Sequence, residues 1–172
     1  MKIETTTLRD LTEEDLDTLL QWRNDPQTNR YLSNRVKTKE ESVTWFKWIK
    51  SDPKNFLKGI LYDGALIGYC IVEDVDNLNR KCEVGIIIGK TQHWGKGIGK
   101  STVKEMLRYC FTDLKLHRVL AVIAHGNHRS EELFKKMGFT YEGTLREATK
   151  IAGQFTDLLC YSMLEDEYKE CT

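Results

Sequence analysis

The sequence predicts an α/β layered fold, helices covering a mixed sheet, in the order strand, two helices, three strands, helix, strand, helix, two strands. Three observations carry this prediction. Two capped amphipathic segments follow a Thr-rich strand near the start, and a run of apolar strands broken by Asp-Gly and Asp-Asn turns fills 56–88. Helix and strand then alternate as far as 138, and two alternating segments close the chain.

Residues 3–8 are rich in Thr and read as the first strand. Thr12 followed by Glu13, Glu14 and Asp15 gives an N-cap and an acidic first turn ahead of Leu16, Leu19, Leu20 and Trp22, so a helix runs to about Arg23 and stops near Asn24-Asp25-Pro26. Thr38 with Glu41 is a capping box, and Val43, Phe46, Trp48 and Ile49 behind it give a second helix. The polar stretch 24–37 between them is a loop or broken helix. Strands 56–62 and 65–72 flank Asp63-Gly64, which tolerates the positive φ of a tight hairpin. A turn at Asp76-Asn77 leads to 82–88, nearly continuous in apolar residues and so covered on both faces. Gly95, Gly97 and Gly99 precede Val103, Met106, Leu107, Cys110 and Phe111 at helical spacing. Residues 117–124 form another buried strand, 125–129 a loop, and 130–137 a short helix closed by Gly138 as a left-handed cap. Residues 139–145 and 155–164 are two closing strands joined across Ala152-Gly153.

The 172 residues fit one compact unit. A chain of that size buries roughly 70% of its unfolded surface and needs no metal or disulfide staple. Lys+Arg and Asp+Glu are each 26, so the formal net charge is zero; this speaks against nucleic acid or an anionic membrane as partner. No apolar run approaches the ~20 residues of a bilayer span, and the first residues lack the apolar core of a signal peptide, which predicts a cytoplasmic protein. Cys70, Cys82, Cys110, Cys160 and Cys171 are odd in number and form no CxxC pair, as expected of reduced thiols without a metal.

The most informative stretch is Trp94-Gly95-Lys96-Gly97-Ile98-Gly99-Lys100-Ser101. Missing Cβ atoms let the backbone turn tightly and approach a ligand, and unpaired N–H groups at a helix start make an anion site fit for a pyrophosphate. The spacing is neither that of a P-loop nor that of a dinucleotide fingerprint.

Preceded by the strand at 84–88, this run resembles the phosphate signature of the GNAT superfamily of acetyl-coenzyme A dependent N-acetyltransferases: Arg or Gln, two residues, Gly, one residue, Gly or Ala. The chain looks most like the ribosomal-protein N-terminal acetyltransferases. That likeness is carried by Leu8-Arg9-Asp10-Leu11-Thr12-Glu13-Glu14-Asp15, Ile67-Gly68-Tyr69, Leu116-His117-Arg118-Val119, Asn127 and Ser130 before Met137-Gly138-Phe139, Glu142-Gly143-Thr144-Leu145-Arg146, and Gly153-Gln154-Phe155-Thr156-Asp157. The resemblance implies a GNAT fold, a mixed and mostly antiparallel seven-stranded sheet flanked by about four helices. It also implies acetyl-coenzyme A as cofactor and a primary amine as acceptor: a protein N-terminus, or alternatively a nucleotide-linked amino sugar or a polyamine. A non-catalytic acyl-coenzyme A binding module is the alternative from another class. The sequence leaves a homodimer open.

The resemblance further implies that Ile86, Ile87 and Ile88 splay from the next strand and pair with the pantetheine arm. Gly95, Lys96, Gly97, Ile98, Gly99, Lys100 and Ser101 would hold the pyrophosphate, Asn127 would bond the arm, and Ser130 with Phe134 would border the cofactor. Trp94 stands where the family has Arg or Gln, with Gln92 fitting in a register shifted by two. Phe134 stands where many members have a proton-donating Tyr, so water, Ser130 or another residue protonates the leaving thiolate, or it departs as such. Glu83 is the candidate base; it reads equally as an edge charge paired with Lys81 or Arg118. His117 is the rival base, and His125 and His128 read as solvated. The resemblance places Trp22, Arg23, Asn24, Arg30 and Arg35 near the acceptor, whereas their spacing also suits core packing for Trp22 and a solvated turn for the rest.

Overall fold

The computed structural model describes residues 6–32 and 38–169. Its elements are β1 (Thr6–Asp10), α1 (Leu16–Asn24), α2 (Lys39–Ser51), β2 (Phe56–Tyr62), β3 (Ala65–Asp76), β4 (Lys81–Ile88), α3 (Ile98–Arg108), β5 (Arg118–Ala124), α4 (His128–Lys136), β6 (Thr140–Ile151) and β7 (Gln154–Leu164). This is the order the sequence predicts. The seven strands form one sheet in the order β1-β2-β3-β4-β5-β7-β6, antiparallel throughout except for β4 beside β5. The expectations for residues 3–5, for 33–37 with Arg35, and for Cys171 lie outside the described residues.

Local chemistry sets most boundaries. The Thr38 hydroxyl accepts from the Glu41 N–H at 3.2 Å while the Glu41 carboxylate accepts from the Thr38 N–H at 2.9 Å, the reciprocal box that starts α2. A short 3-10 turn, Glu13–Asp15, leads into α1; the Asp15 carboxylate accepts from the Thr12 N–H at 2.9 Å and from both Arg9 terminal nitrogens at 2.7 Å. Asp63 and Gly64, at φ 50 and 80, turn β2 into β3. β3 runs to Asp76 and β6 to Ile151, well beyond the strands at 65–72 and 139–145 expected from alternation, because β3 stays paired with β4 as far as Asp76–Lys81 and β6 with β7 as far as Ile151–Gln154. α4 starts two residues earlier than the predicted 130, since the Asn127 side chain accepts from the Ser130 N–H at 3.3 Å and caps it.

Alternation along β3 explains why the central strands are apolar on both sides. Cys70 and Val72 join Val103, Met106 and Leu107 of α3, whereas Tyr69 and Ile71 join Leu16, Leu19 and Trp22 of α1 and Phe46 and Ile49 of α2. Each fully buried aliphatic side chain adds about 1.5–3 kcal/mol of transfer free energy. α3 runs on into one π turn, Tyr109–Asp113, which keeps Cys110 and Phe111 in the core. The Cys82 and Cys110 sulfurs lie 3.6 Å apart there, and burial pushes the Cys70 thiol up to about 12. Among the described residues no helix is long and apolar enough to cross a membrane.

Candidate active site

The parallel contact between β4 and β5 is brief. Lys81, Cys82 and Glu83 pair with Arg118, Val119 and Leu120, and beyond Glu83 the two strands part. Backbone polarity in the gap follows from the other edge of β4. Gly89 donates to the Ile67 carbonyl at 2.8 Å, which makes Tyr69 and Ile87, two positions further along, a hydrogen-bonded pair as well. The main-chain groups of Ile87 are therefore committed to β3, and those of Ile86 and Ile88 face the gap. Of the three residues expected to offer backbone to an extended ligand, Ile87 offers its side chain instead.

A cleft of about 630 Å³ opens there, walled on one side by Ile86, Ile87, Ile88 and Trp94 and on the other by the first turns of α4, with Gly126, Asn127, Ser130 and Leu133. Residues 26–32, after α1, close it over the top, where Tyr31 faces Gly126. Gly89 fixes that roof. A Cβ on Gly89 would land in the Trp22 indole, and the Gly89 carbonyl accepts from the Thr28 hydroxyl at 3.2 Å.

Glu83 is the last β4 residue paired to β5, so it stands at the vertex of the opening, behind the residues that line the cleft. Its side chain is on the face of Tyr69 and Ile87, opposite Glu73 of β3. Burial, reinforced by the charges of Glu73 and Asp74, pushes its carboxyl up to about 7. The ion pair expected with Lys81 or Arg118 does not form among the described residues: Arg118 is held by Glu142, which also accepts from the Ser162 hydroxyl at 2.8 Å. His117, the rival base, lies half-exposed at the paired end of the strands, 3.6 Å from Glu165. His128 is 82% exposed, and His125 is also at the surface.

The glycine turn follows Trp94 of the cleft wall and reaches α4 through Gly99, but residues 95–101 do not themselves line the cleft. Gly95 and Gly97 adopt φ 80 and 79, Gly97 is the N-cap of α3, and a Cβ on Gly97 would meet nothing within 4 Å, so the turn faces open space. Ile98 is buried beneath it and Ser101 bonds back to the Ile98 carbonyl at 3.0 Å, so both hold the turn from below. Lys96 is drawn over the Tyr62 ring at 5.2 Å, Lys100 is exposed, and Gly99 packs on Leu133.

Two groups of expected contacts fall elsewhere. Phe134 does not line the cleft; it is 3% exposed in the core against Phe139, because the face of α4 turned to the gap carries Ser130 and Leu133. Trp22 is a core residue on Gly89. Arg23 donates to the Tyr69 hydroxyl at 3.1 Å and lies 5.3 Å from the Trp45 ring, which ties it to the helix layer. Asn24 is exposed at the end of α1 and does not line the cleft, whereas Arg30 does. Tyr31, Leu32, Trp94, Arg129 and Leu133 also line it; the sequence offered no periodic signal for them, since a fold-dependent juxtaposition brings them together.

Residues 5–140 match the family model described as an acetyltransferase (GNAT) domain. The chain belongs to the GNAT acetyltransferases. Among its GNAT relatives, YdaF of Bacillus subtilis (strain 168), which carries the provisional name ribosomal N-acetyltransferase, is 37% identical over 111 residues, 64% of this chain and 60% of YdaF. The chain thus spans less than two thirds of that relative. The uncharacterized N-acetyltransferase p20 of Bacillus licheniformis is 29% identical over 171 residues, 96% of each chain. A solved spermidine N-acetyltransferase from Vibrio cholerae, in complex with CoA and spermine, superposes with a TM-score of 0.86 at 26% identity, covering 94% of this chain and 96% of that one. In this GNAT sheet, the main-chain groups of Ile86 and the Ile88 N–H point away from β3 into the gap, the Ile88 carbonyl accepts from the Trp94 indole, and the glycine turn is open to solvent.

Proposed function

We propose that the chain is an acetyl-coenzyme A dependent N-acetyltransferase whose acceptor is a protein N-terminal α-amine, of the kind found on ribosomal proteins. The observation that carries this reading is the Glu83 carboxyl, raised to about 7 at the vertex of the gap. An α-ammonium with a pKa of ~8 lies about one unit from such a base, whereas an alkyl ammonium at ~10.4 lies more than three units away.

Acetyl-coenzyme A supplies the activated acetyl group. Glu83, set behind the lining, takes the proton of the α-ammonium through a water and leaves a neutral amine to attack the acetyl carbon. The Ile86 N–H, fixed by the sheet and facing the gap, is the donor for the oxygen on which charge develops. Ser130, on the opposite wall, offers its hydroxyl to the departing sulfur, which replaces the missing phenol at Phe134. Asn127 holds the Ser130 N–H and thereby positions that turn.

A polyamine acceptor is the second reading, favoured by the acidic face formed by Glu73, Asp74 and Glu83 and by the likeness to a spermidine acetyltransferase. The test is thiol release from acetyl-coenzyme A with N-terminal peptides, polyamines and amino sugars offered in parallel. Turnover on peptides supports the first reading, and turnover on polyamines alone replaces it with the second.

A further inference from the structure

The residue that opens the glycine turn is an indole, and a guanidinium rests on it. The Arg129 Cζ lies 3.7 Å from the Trp94 ring centroid, the shortest cation–ring contact among the described residues. Trp94 is fixed in turn, because its Nε1–H donates to the Ile88 carbonyl at 2.9 Å. The stack therefore joins the end of β4 to the first turn of α4, across the opening through which a diphosphate would enter. Both residues line the cleft.

The charge on Arg129 has no carboxylate partner among the described residues. Glu131, two residues away, is taken by Lys135 at 2.7 Å and by the Tyr161 hydroxyl at 2.9 Å, and Glu132 faces Lys136 at 3.4 Å. Lys96 of the turn itself is turned aside onto Tyr62. A guanidinium resting on an aromatic face keeps its N–H edges available for a planar, two-point grip on an oxyanion, and the ring holds it in place before the ligand arrives.

We propose that Arg129, carried on Trp94, is a binding residue for a phosphate of the acyl carrier, the indole acting as the platform that positions it. This rests on the acetyl-coenzyme A reading above. The test is calorimetric binding, without acceptor or turnover, of coenzyme A, dephospho-coenzyme A, 4′-phosphopantetheine and pantetheine, with pantetheine measured by competition. The proteins are wild type, Arg129→Gln, Arg129→Lys and Trp94→Leu. Arg129→Gln is expected to weaken coenzyme A roughly ten- to a hundredfold and to leave pantetheine unchanged, as for loss of one charge-assisted contact. Arg129→Lys restores part of the affinity, and Trp94→Leu weakens coenzyme A because the guanidinium loses its seat. An effect of Arg129→Gln that vanishes at dephospho-coenzyme A assigns the 3′-phosphate; one that persists there and shrinks at 4′-phosphopantetheine assigns the diphosphate. Unchanged affinity for coenzyme A in Arg129→Gln, or an equal loss for pantetheine, overturns the proposal. Failure of the wild type to bind coenzyme A at all removes the acetyl-coenzyme A reading, and this proposal with it.

Discussion

Glu73 of β3 and Glu83 of β4 form one cross-strand pair on the face of the sheet that carries α1 and α2. Burial raises both carboxyls; Asp74 adds to the rise at Glu73 while Arg23 opposes it, and Glu73 and Asp74 add to the rise at Glu83. Like charges directly opposite in a sheet normally destabilise it. The pair is tolerated because a carboxyl with its pKa at about 7 is largely protonated in mildly acidic solution.

On the proposed mechanism, replacing Glu83 by Gln removes the base. We expect kcat/KM for an N-terminal peptide to fall about a hundredfold near pH 7, with the deficit shrinking above pH ~8.5 as the amine loses its proton unaided. Rates of thiol release across pH 6–10 check this. A deficit that stays constant with pH argues for a structural role.

The same substitution changes stability in a direction fixed by linkage. The Glu83 carboxyl is raised on folding, so its favourable contribution is complete below its unfolded pKa of ~4.3 and is lost as pH rises through about 7. Glu83→Gln should therefore melt at a higher temperature than wild type at pH 8, by roughly 3 °C, and at the same temperature near pH 4.5. Paired thermal melts at the two pH values measure it.

Glu73→Gln removes a like charge from beside Glu83. The acidic limb of the wild-type pH–rate profile should move to lower pH, with the plateau rate changed little. An unmoved limb would mean that burial alone sets the Glu83 carboxyl.

Two glycines separate folding from binding. Gly97→Val forces a branched residue into φ 79, at a cost of about 1–2 kcal/mol, but meets no neighbour, so the protein folds while its affinity for coenzyme A falls at least about tenfold. Gly89→Ala drives a methyl into the Trp22 indole and is expected to lower the melting temperature by about 5 °C. It should also raise KM for the acceptor, because the roof at residues 26–32 is hung from Gly89 through Thr28. Calorimetry and thermal melts on both variants resolve the two effects.

Features with a local cause were legible in the sequence. The Thr38–Glu41 box, the Asp63-Gly64 hairpin and the Gly138 cap, at φ 90, each depend on residues a few positions apart, and each stands where the residue types require. The parting of β4 from β5 has no local cause. It depends on how far two segments more than thirty residues apart stay in register, so only the family resemblance pointed to it. Helix rotation was equally hidden: the resemblance pointed to Phe134, whereas packing on Phe139 turns Phe134 inward and leaves Leu133 facing the cleft. Asn127 was singled out for a ligand, and its side chain also proves to be the cap that starts α4.

If the opening beyond Glu83 receives the proposed carrier, the stability of the protein depends on how much carrier is at hand. On the proposed reading, a carrier lodged between Ile86 and Ser130 would bridge the two walls of the cleft, whose strands β4 and β5 pair at only three positions among the described residues. At a thousand times its dissociation constant, such a ligand adds about 4 kcal/mol to the folded state. Starvation that drains the carrier would then expose the chain to proteases sooner, so its abundance would follow the metabolic state of the cell.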